Sequence, residues 1–184
     1  MLDNTGISRL LIKISTGDKK ALEDLWVDLK DGLYSFILSY IHDKQLAEDA
    51  LQETFISLYK SANGFKRSIN AKAWIFTIAR NTTISLLRKR KEKAWNVDEM
   101  ADITDEINIE NNTVQKDELD TLLASLDETS RIIVLLHTVN DLKHIEIAKI
   151  LSLPLGTVYR KYSQSIKKLQ KLYSMQIIEE VSHE

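Results

Sequence analysis

The chain has no cysteine, one proline and five glycines among its 184 residues. Without thiols there can be no disulfide and no thiolate metal site, and the histidines at 42, 137, 144 and 183 show no ligand spacing. Neither a metal nor any other cofactor is expected. With proline and glycine scarce and apolar residues spaced by three and four almost throughout, little room is left for sheet, and the spacing predicts an all-α fold. Long apolar runs are missing too. Ile132 to Leu136 falls far short of a membrane span, and the opening MLDNTGISRLLIKI lacks a basic segment followed by an apolar stretch. This predicts a cytoplasmic protein without membrane insertion. A basic excess is also absent: the net charge is -2 and the pI about 6.1. That is unusual for a protein that grips DNA unaided.

The charge that is present is strongly sorted. Lys60 to Lys93 holds ten basic residues and one acid, Glu92, whereas Ala94 to Asp120 holds nine acids and one base, Lys116. Such blocks mark separate working surfaces.

The most informative stretch is KHIEIAKILSLPLGTVYRKYSQSIKKLQKL, residues 143 to 172. Ile145, Ala148 and Leu151 fall on one face of a first helix, with Ala148 small enough for a second helix to cross closely. Leu153 fills the corner. Pro154 lacks an amide hydrogen and disfavours helix before it, so it separates the two helices, and Gly156-Thr157 can start the second. Val158, Tyr162, Ile166 and Leu169 line its inner face, leaving Tyr159, Arg160, Lys161, Ser163, Gln164, Lys167 and Lys168 outside. The pattern predicts a helix-turn-helix with groove-reading and phosphate-holding side chains.

Upstream, Leu22, Leu25, Trp26, Leu29, Leu33, Phe36, Ile37 and Tyr40 give a long amphipathic helix ending near His42. Asp43 caps the next, in which Leu46, Ala50, Leu51, Phe55 and Leu58 face inward and Glu48, Asp49, Gln52 and Glu53 form an acidic outer row. Asn63-Gly64 stops it. A basic loop, FKRSIN (65 to 70), precedes a helix from about Ala71 to Arg90 with Trp74, Ile75, Ile78 and Leu86 inside. Residues 94–115 lack apolar periodicity and read as a flexible acidic linker. The sequence therefore divides into a domain at 1–93, the linker at 94–115, a second domain at 116–175 and a tail at 176–184 expected to fray. The second domain opens with Leu119, Leu122, Leu123 and Leu126 in one helix and Ile132, Ile133, Leu136 and Val139 in another.

The stretches AEDALQETF (47 to 55), AWIFTIARN (73 to 81) and IEIAKILSLPLGTV (145 to 158), in this order, resemble the extracytoplasmic-function sigma factors, a class of bacterial RNA polymerase sigma subunits of the sigma-70 family. The resemblance covers nearly the whole chain. It implies two small helical domains, sigma region 2-like and region 4-like, and a protein that binds core RNA polymerase and directs promoter recognition, opening and initiation. Glu48, Asp49, Gln52 and Glu53 would dock on the clamp helices of the largest polymerase subunit. Lys66, Arg67, Asn70, Lys72, Phe76, Arg80 and Asn81 would recognise and open the minus-10 element, with a flipped base near the 66 to 70 loop. Opening loses stacking of about 1.4 kcal/mol per base-pair step, which aromatic platforms return at about 1–3 kcal/mol per base. Trp74 has the phase of a core residue rather than of a stacking platform. Arg88 to Lys91 and Lys93 would hold phosphates rather than read bases.

In the helix-turn-helix, Thr157, Tyr159, Arg160, Lys161, Gln164, Lys167 and Lys168 would contact the minus-35 element. Arg160 and Lys161 can reach guanine edges or phosphates, and Gln164 can pair with adenine. The linker would thread the polymerase cleft. Region 4 would also meet the polymerase flap, and an anti-sigma factor is a further partner that the resemblance allows. The chain departs from the family pattern at Thr77, Ser85, Asp127, Ser152, Tyr159 and Gln164. A left-handed Ser152 would be strained by about 1 kcal/mol. The alternative reading is a stand-alone helix-turn-helix regulator, or a sigma-like accessory factor without initiation activity. An enzyme is disfavoured, since no paired carboxylates, nucleophile triad or phosphate loop appears.

Overall fold

A computed structural model of the chain describes residues 2–41, 43–96 and 122–182. Its elements are α1 (Asn4–Ser15), α2 (Lys19–Ile41), α3 (Lys44–Ser61), a 3-10 turn (Ala62–Gly64), α4 (Ala71–Asn96), α5 (Glu128–Thr138), α6 (His144–Leu151) and α7 (Leu155–Ser182). No strand occurs among the described residues, as the helical spacing predicted. The acidic linker and Leu119 lie largely or wholly outside the described residues.

The first region is a four-helix unit whose inner faces follow the apolar phase of the sequence. Leu25, Leu29, Leu33, Phe36 and Ile37 of α2 are fully or almost fully buried against Ala50, Leu51, Phe55 and Leu58 of α3. Trp26 tilts onto Phe55 with ring centroids 4.6 Å apart. Helix α1 is an addition to the sequence reading. Asp3 caps it by accepting the Gly6 N–H at 2.8 Å, and Ile7, Leu11 and Ile14 seal the same core at i, i+4 and i+7.

Side chains satisfy the opening amides of α4. Asn4 Oδ1 accepts the Ala71 N–H at 2.7 Å and the Lys72 N–H at 3.3 Å, while Asn70 Oδ1 accepts the Ala73 N–H at 2.9 Å. A helix terminus normally leaves such donors unmade, and each cap contributes about 1 kcal/mol. The start of α4 at Ala71 agrees with the sequence, but the helix continues past Arg90 and past position 93 to Asn96.

The second region is α5, α6 and α7. Asp127 caps α5, accepting the Ser130 N–H at 3.0 Å and the Ser130 hydroxyl at 2.6 Å. Helix α6 ends on a left-handed Ser152 (φ 56°, ψ 42°), with Leu153 N–H donating to the Ala148 carbonyl at 2.9 Å. This is a Schellman closure made without the usual glycine. Leu153 packs in the corner, and Val158 of α7 is fully buried over Ala148 and Leu151. The face of α6 is rotated from the one expected: Ile147, Ala148, Ile150 and Leu151 point inward, while Ile145 is 51% exposed. Helix α7 begins at Leu155, ahead of Gly156-Thr157, and runs on to Ser182 where fraying was expected.

The two regions pack on each other, α5 against α2 and α6 against α4. One apolar cluster runs through both, from Leu33 and Phe76 to Ile132, Ile133 and Leu136. Gly32 lies where the two regions meet. It sits inside α2, where glycine costs about 1 kcal/mol relative to alanine, and an added Cβ would collide with Asn140 Oδ1.

Candidate nucleic-acid interface

The acidic row is presented as its spacing predicts. Asp43 fixes the start of α3 by accepting the Leu46 N–H at 3.0 Å, a bond that holds its carboxyl below the usual carboxylate range with help from Arg90. From that start, Glu48, Asp49, Gln52 and Glu53 all fall on the exposed side. None of the four side chains makes a hydrogen bond or ion pair among the described residues. Ile56 and Tyr59 extend the row by one more turn and are also exposed, at 46% and 45%. The sequence reading gave them no role, although their spacing from Gln52 could have done so.

The basic face behaves differently. Lys66 and Arg67 in the loop and Asn81 on α4 are exposed. Phe76 is not available to a base: it is fully buried, edge-to-face with Phe36 at 5.2 Å. This corrects its assignment as a minus-10 contact, because a ring on the inward face of α4 contributes packing and cannot be reached by DNA without unfolding. Trp74 is partly buried and tilts onto Phe65 at 5.3 Å, as its phase suggested.

Lys72 is likewise withdrawn from solvent. It is 7% exposed, and its ammonium donates to the Asn140 carbonyl at 2.9 Å. Burial pushes its pKa down, opposed by the charges of Asp141 and Asp28. Asn70 donates through Nδ2 to Glu146 Oε1 at 2.6 Å. Arg80 is half-buried beside the Tyr40 hydroxyl, whose own pKa burial raises. In this closed arrangement Lys72 is therefore not the free cation that the sequence suggested, and the other region holds Asn70.

On α7, Tyr159, Arg160, Gln164 and Lys167 are exposed and share the outer side of the helix. Thr157 is half-buried, its amide donating to the Pro154 carbonyl at 2.9 Å. Lys161 corrects the outward assignment: it is half-buried and reaches back to Asp127 Oδ1 at 3.0 Å. Ser130 and Lys161 together hold the Asp127 carboxyl at a pKa of about 2. Lys168, although exposed, donates to the Ser125 carbonyl at 2.5 Å. His144 stacks on Tyr159 at 4.4 Å and contacts His137 at 4.2 Å, giving the recognition helix an aromatic support that no sequence pattern announced.

An open acidic helix, a basic helix start and a helix-turn-helix thus occur on one helical chain. Residues 16–93 match the family model for Sigma-70 region 2, and residues 116–169 match that for Sigma-70, region 4. The ECF RNA polymerase sigma factor SigW of Bacillus subtilis is 26% identical, covering 90% of this chain and 95% of its own length. The chain belongs to the extracytoplasmic-function sigma factors.

The sigma factor is also 28% identical to the ECF RNA polymerase sigma-E factor of Escherichia coli, over 81% of this chain and 84% of that one. Among solved structures, CnrH in complex with the cytosolic domain of CnrY matches with a TM-score of 0.63 at 20% identity, covering 92% of this chain and 98% of that one. The sigma factor RpoE of Bartonella quintana, in complex with the anti-sigma factor NepR, gives 0.63 at 23% identity, with coverages of 84% and 98%. As members of this family do, the protein binds core RNA polymerase and promoter DNA and directs promoter-specific transcription initiation. Family members are regulatory subunits and not enzymes.

Proposed function

We propose that the sigma factor engages polymerase first through the outer row of α3 and reads promoters through two separate surfaces. Asp49, Gln52 and Glu53, flanked by Glu48, Ile56 and Tyr59, would meet the basic clamp helices of the largest subunit. The observation that carries this reading is the contrast in commitment. The side chains of the acidic row are exposed and untied among the described residues, whereas the neighbouring cationic face is partly engaged. A row of uncompensated carboxylates on a well-capped helix suits a basic partner.

Lys66, Arg67, Asn70, Lys72, Arg80 and Asn81 form the proposed minus-10 surface, with Phe76 supporting it from the core. Thr157, Tyr159, Arg160 and Gln164 form the proposed minus-35 reader, with Lys167 and Lys168 on phosphates and Lys161 as a structural tie. The flap would be the site for region 4 on the polymerase, and the linker at 94–115 would run through the cleft. The boundaries at 1–93 and 116–175, the tail at 176–184 and a cytoplasmic site of action belong to the same proposal. An anti-sigma partner is inferred from the kind of complexes in which the structural neighbours were solved.

Run-off transcription with purified core polymerase over a library of upstream sequences tests the whole reading. The expected result is initiation from templates sharing two spaced elements, with permanganate-reactive thymines near minus 10 only when polymerase is present. Tight sequence-specific binding by the isolated protein, with no stimulation of polymerase, would overturn it in favour of a stand-alone regulator.

A further inference from the structure

Four rings from three helices meet beside the recognition helix. His137 of α5 and His144, the first residue of α6, have ring centroids 4.2 Å apart, and Tyr162 of α7 stands edge-on to both at 4.7 and 4.8 Å. His144 in turn stacks on Tyr159 at 4.4 Å, with the two planes 15° apart. The supports are themselves fixed. His137 Nδ1 donates to the Leu142 carbonyl at 2.8 Å, and Glu146 closes the start of α6 by accepting the Lys143 N–H at 2.8 Å. His144 Nε2, by contrast, is buried and makes no hydrogen bond among the described residues, so what this imidazole offers Tyr159 is its flat face.

Tyr159 is thus held on one face and still 55% exposed. Leu155, four residues earlier and therefore on the same side of α7, is 37% exposed. Both lie in the opening turns of the helix, the part of a recognition helix that meets base edges. Among the four unmodified bases only thymine shows an apolar group in the major groove, its C5 methyl. We propose that Leu155 and Tyr159 form an apolar reader of thymine methyl groups in the minus-35 element, and that His144, backed by His137 and Tyr162, is the positioning residue that holds the Tyr159 ring for this contact. The inference rests on the minus-35 role of α7 proposed above and adds Leu155 and His144 to it. Arg160 and Gln164, exposed beside the pair, keep the polar base edges.

Exchanging thymine for deoxyuridine removes that methyl and leaves base pairing as it was, so it reads the contact directly. The preferred minus-35 element is first selected from a randomised library with the full-length protein in holoenzyme, and each thymine in it is then exchanged in turn. For wild type at least one exchange should weaken holoenzyme binding about fourfold, as expected for one buried methyl. Tyr159→Ala and Leu155→Ala should each lose the effect at one thymine, while Tyr159→Phe should keep it, because the ring and not the hydroxyl makes the contact. His144→Ala should lose the same thymine effect as Tyr159→Ala, and combining the two should change base preference no further. His144→Phe retains a flat face and should retain the effect.

A selected element without thymine, equal binding of thymine and deoxyuridine templates by wild type, or loss of the methyl effect in Tyr159→Phe would overturn the apolar reader. If His144→Ala weakens binding to both templates alike and leaves their ratio at the wild-type value, the ring is packing alone and its positioning role is wrong. Failure of the minus-35 reading itself has another signature. Arg160→Ala, Tyr159→Ala and Leu155→Ala would then all select the wild-type sequence, and the reader would fall with the helix assignment.

Discussion

Two faces of the same four-helix unit carry opposite charge and opposite degrees of commitment. On α3, Asp49, Gln52 and Glu53 are exposed and make no hydrogen bond or ion pair among the described residues. At the start of α4, Asn70 and Lys72 are bonded to another part of the chain. On the proposed assignments, the surface meant for polymerase is open, while part of the surface meant for the minus-10 element is engaged by other residues of the chain. The same division recurs within region 4, where Arg160 is exposed and Lys161 is tied to Asp127.

The largest effect should come from a residue that only the sequence placed on the DNA face. Phe76 is fully buried against Phe36, so Phe76→Ala should cost about 3–5 kcal/mol of stability by leaving a cavity. Chemical denaturation of the free protein would show this as a lower midpoint. A variant with an unchanged midpoint and a selective loss of promoter opening would return Phe76 to the DNA surface and erase the contrast between the faces.

The open face should respond in function and not in stability. Asp49→Lys with Glu53→Lys inverts an exposed field, and a fall in affinity for core polymerase of about 100-fold, or about 2.8 kcal/mol, is expected with the melting temperature unchanged. Gln52→Ala should act in the same direction but more weakly, since it deletes one neutral hydrogen bond, about 0.5–1.5 kcal/mol. Wild-type affinity for the double variant would show that an open surface here is merely a solvated one.

In region 4 the comparison separates neighbours. Arg160→Ala should relax preference at particular minus-35 positions by about 1–3 kcal/mol, because an exposed guanidinium is available for base edges. Lys161→Ala should leave sequence preference as it was and lower the stability of region 4 slightly. Lys167→Ala should weaken binding evenly and reduce the salt slope by about 1. Selection from a randomised minus-35 library by each holoenzyme distinguishes the three, and equal shifts for Arg160→Ala and Lys161→Ala would show that the tie to Asp127 does not persist on DNA.

These distinctions also mark what was legible in the sequence. Helix phase gave the scaffold, the acidic row and the turn at Leu153-Pro154, since each depends on residues within one or two turns of each other. Even the left-handed Ser152 was readable, as a serine at the position where the family turns on glycine. Phe76 was misplaced, and the engagement of Lys72 was missed, for another reason. Their availability is decided by packing between elements far apart in the chain, and chemical type says nothing of that. The meeting of the two regions left only faint traces: Gly32 inside an otherwise apolar periodic helix, and Glu146, whose capping role hid its reach to Asn70.

The smallest expected effect concerns the tie itself and is set by pH. Asp127 accepts from the Ser130 amide and hydroxyl and from Lys161, which brings its carboxyl from the ordinary 3.8 to about 2. A carboxyl lowered on folding binds fewer protons in the native than in the unfolded chain. Its contribution is therefore complete above its unfolded pKa and is lost as the pH falls through about 2. The side chain is 61% exposed, so solvent screening reduces the contribution to about 0.5–1 kcal/mol. Asp127→Asn can still cap α5 but carries no charge for Lys161. The stability difference between wild type and Asp127→Asn, measured by denaturation at pH 6 and again at pH 2, should shrink from about 0.5–1 kcal/mol towards zero, while the half-exposed acids elsewhere cancel in the comparison. A difference independent of pH would mean that Asp127 acts as a helix cap alone, and Lys161 would then be as free as Arg160 to meet DNA.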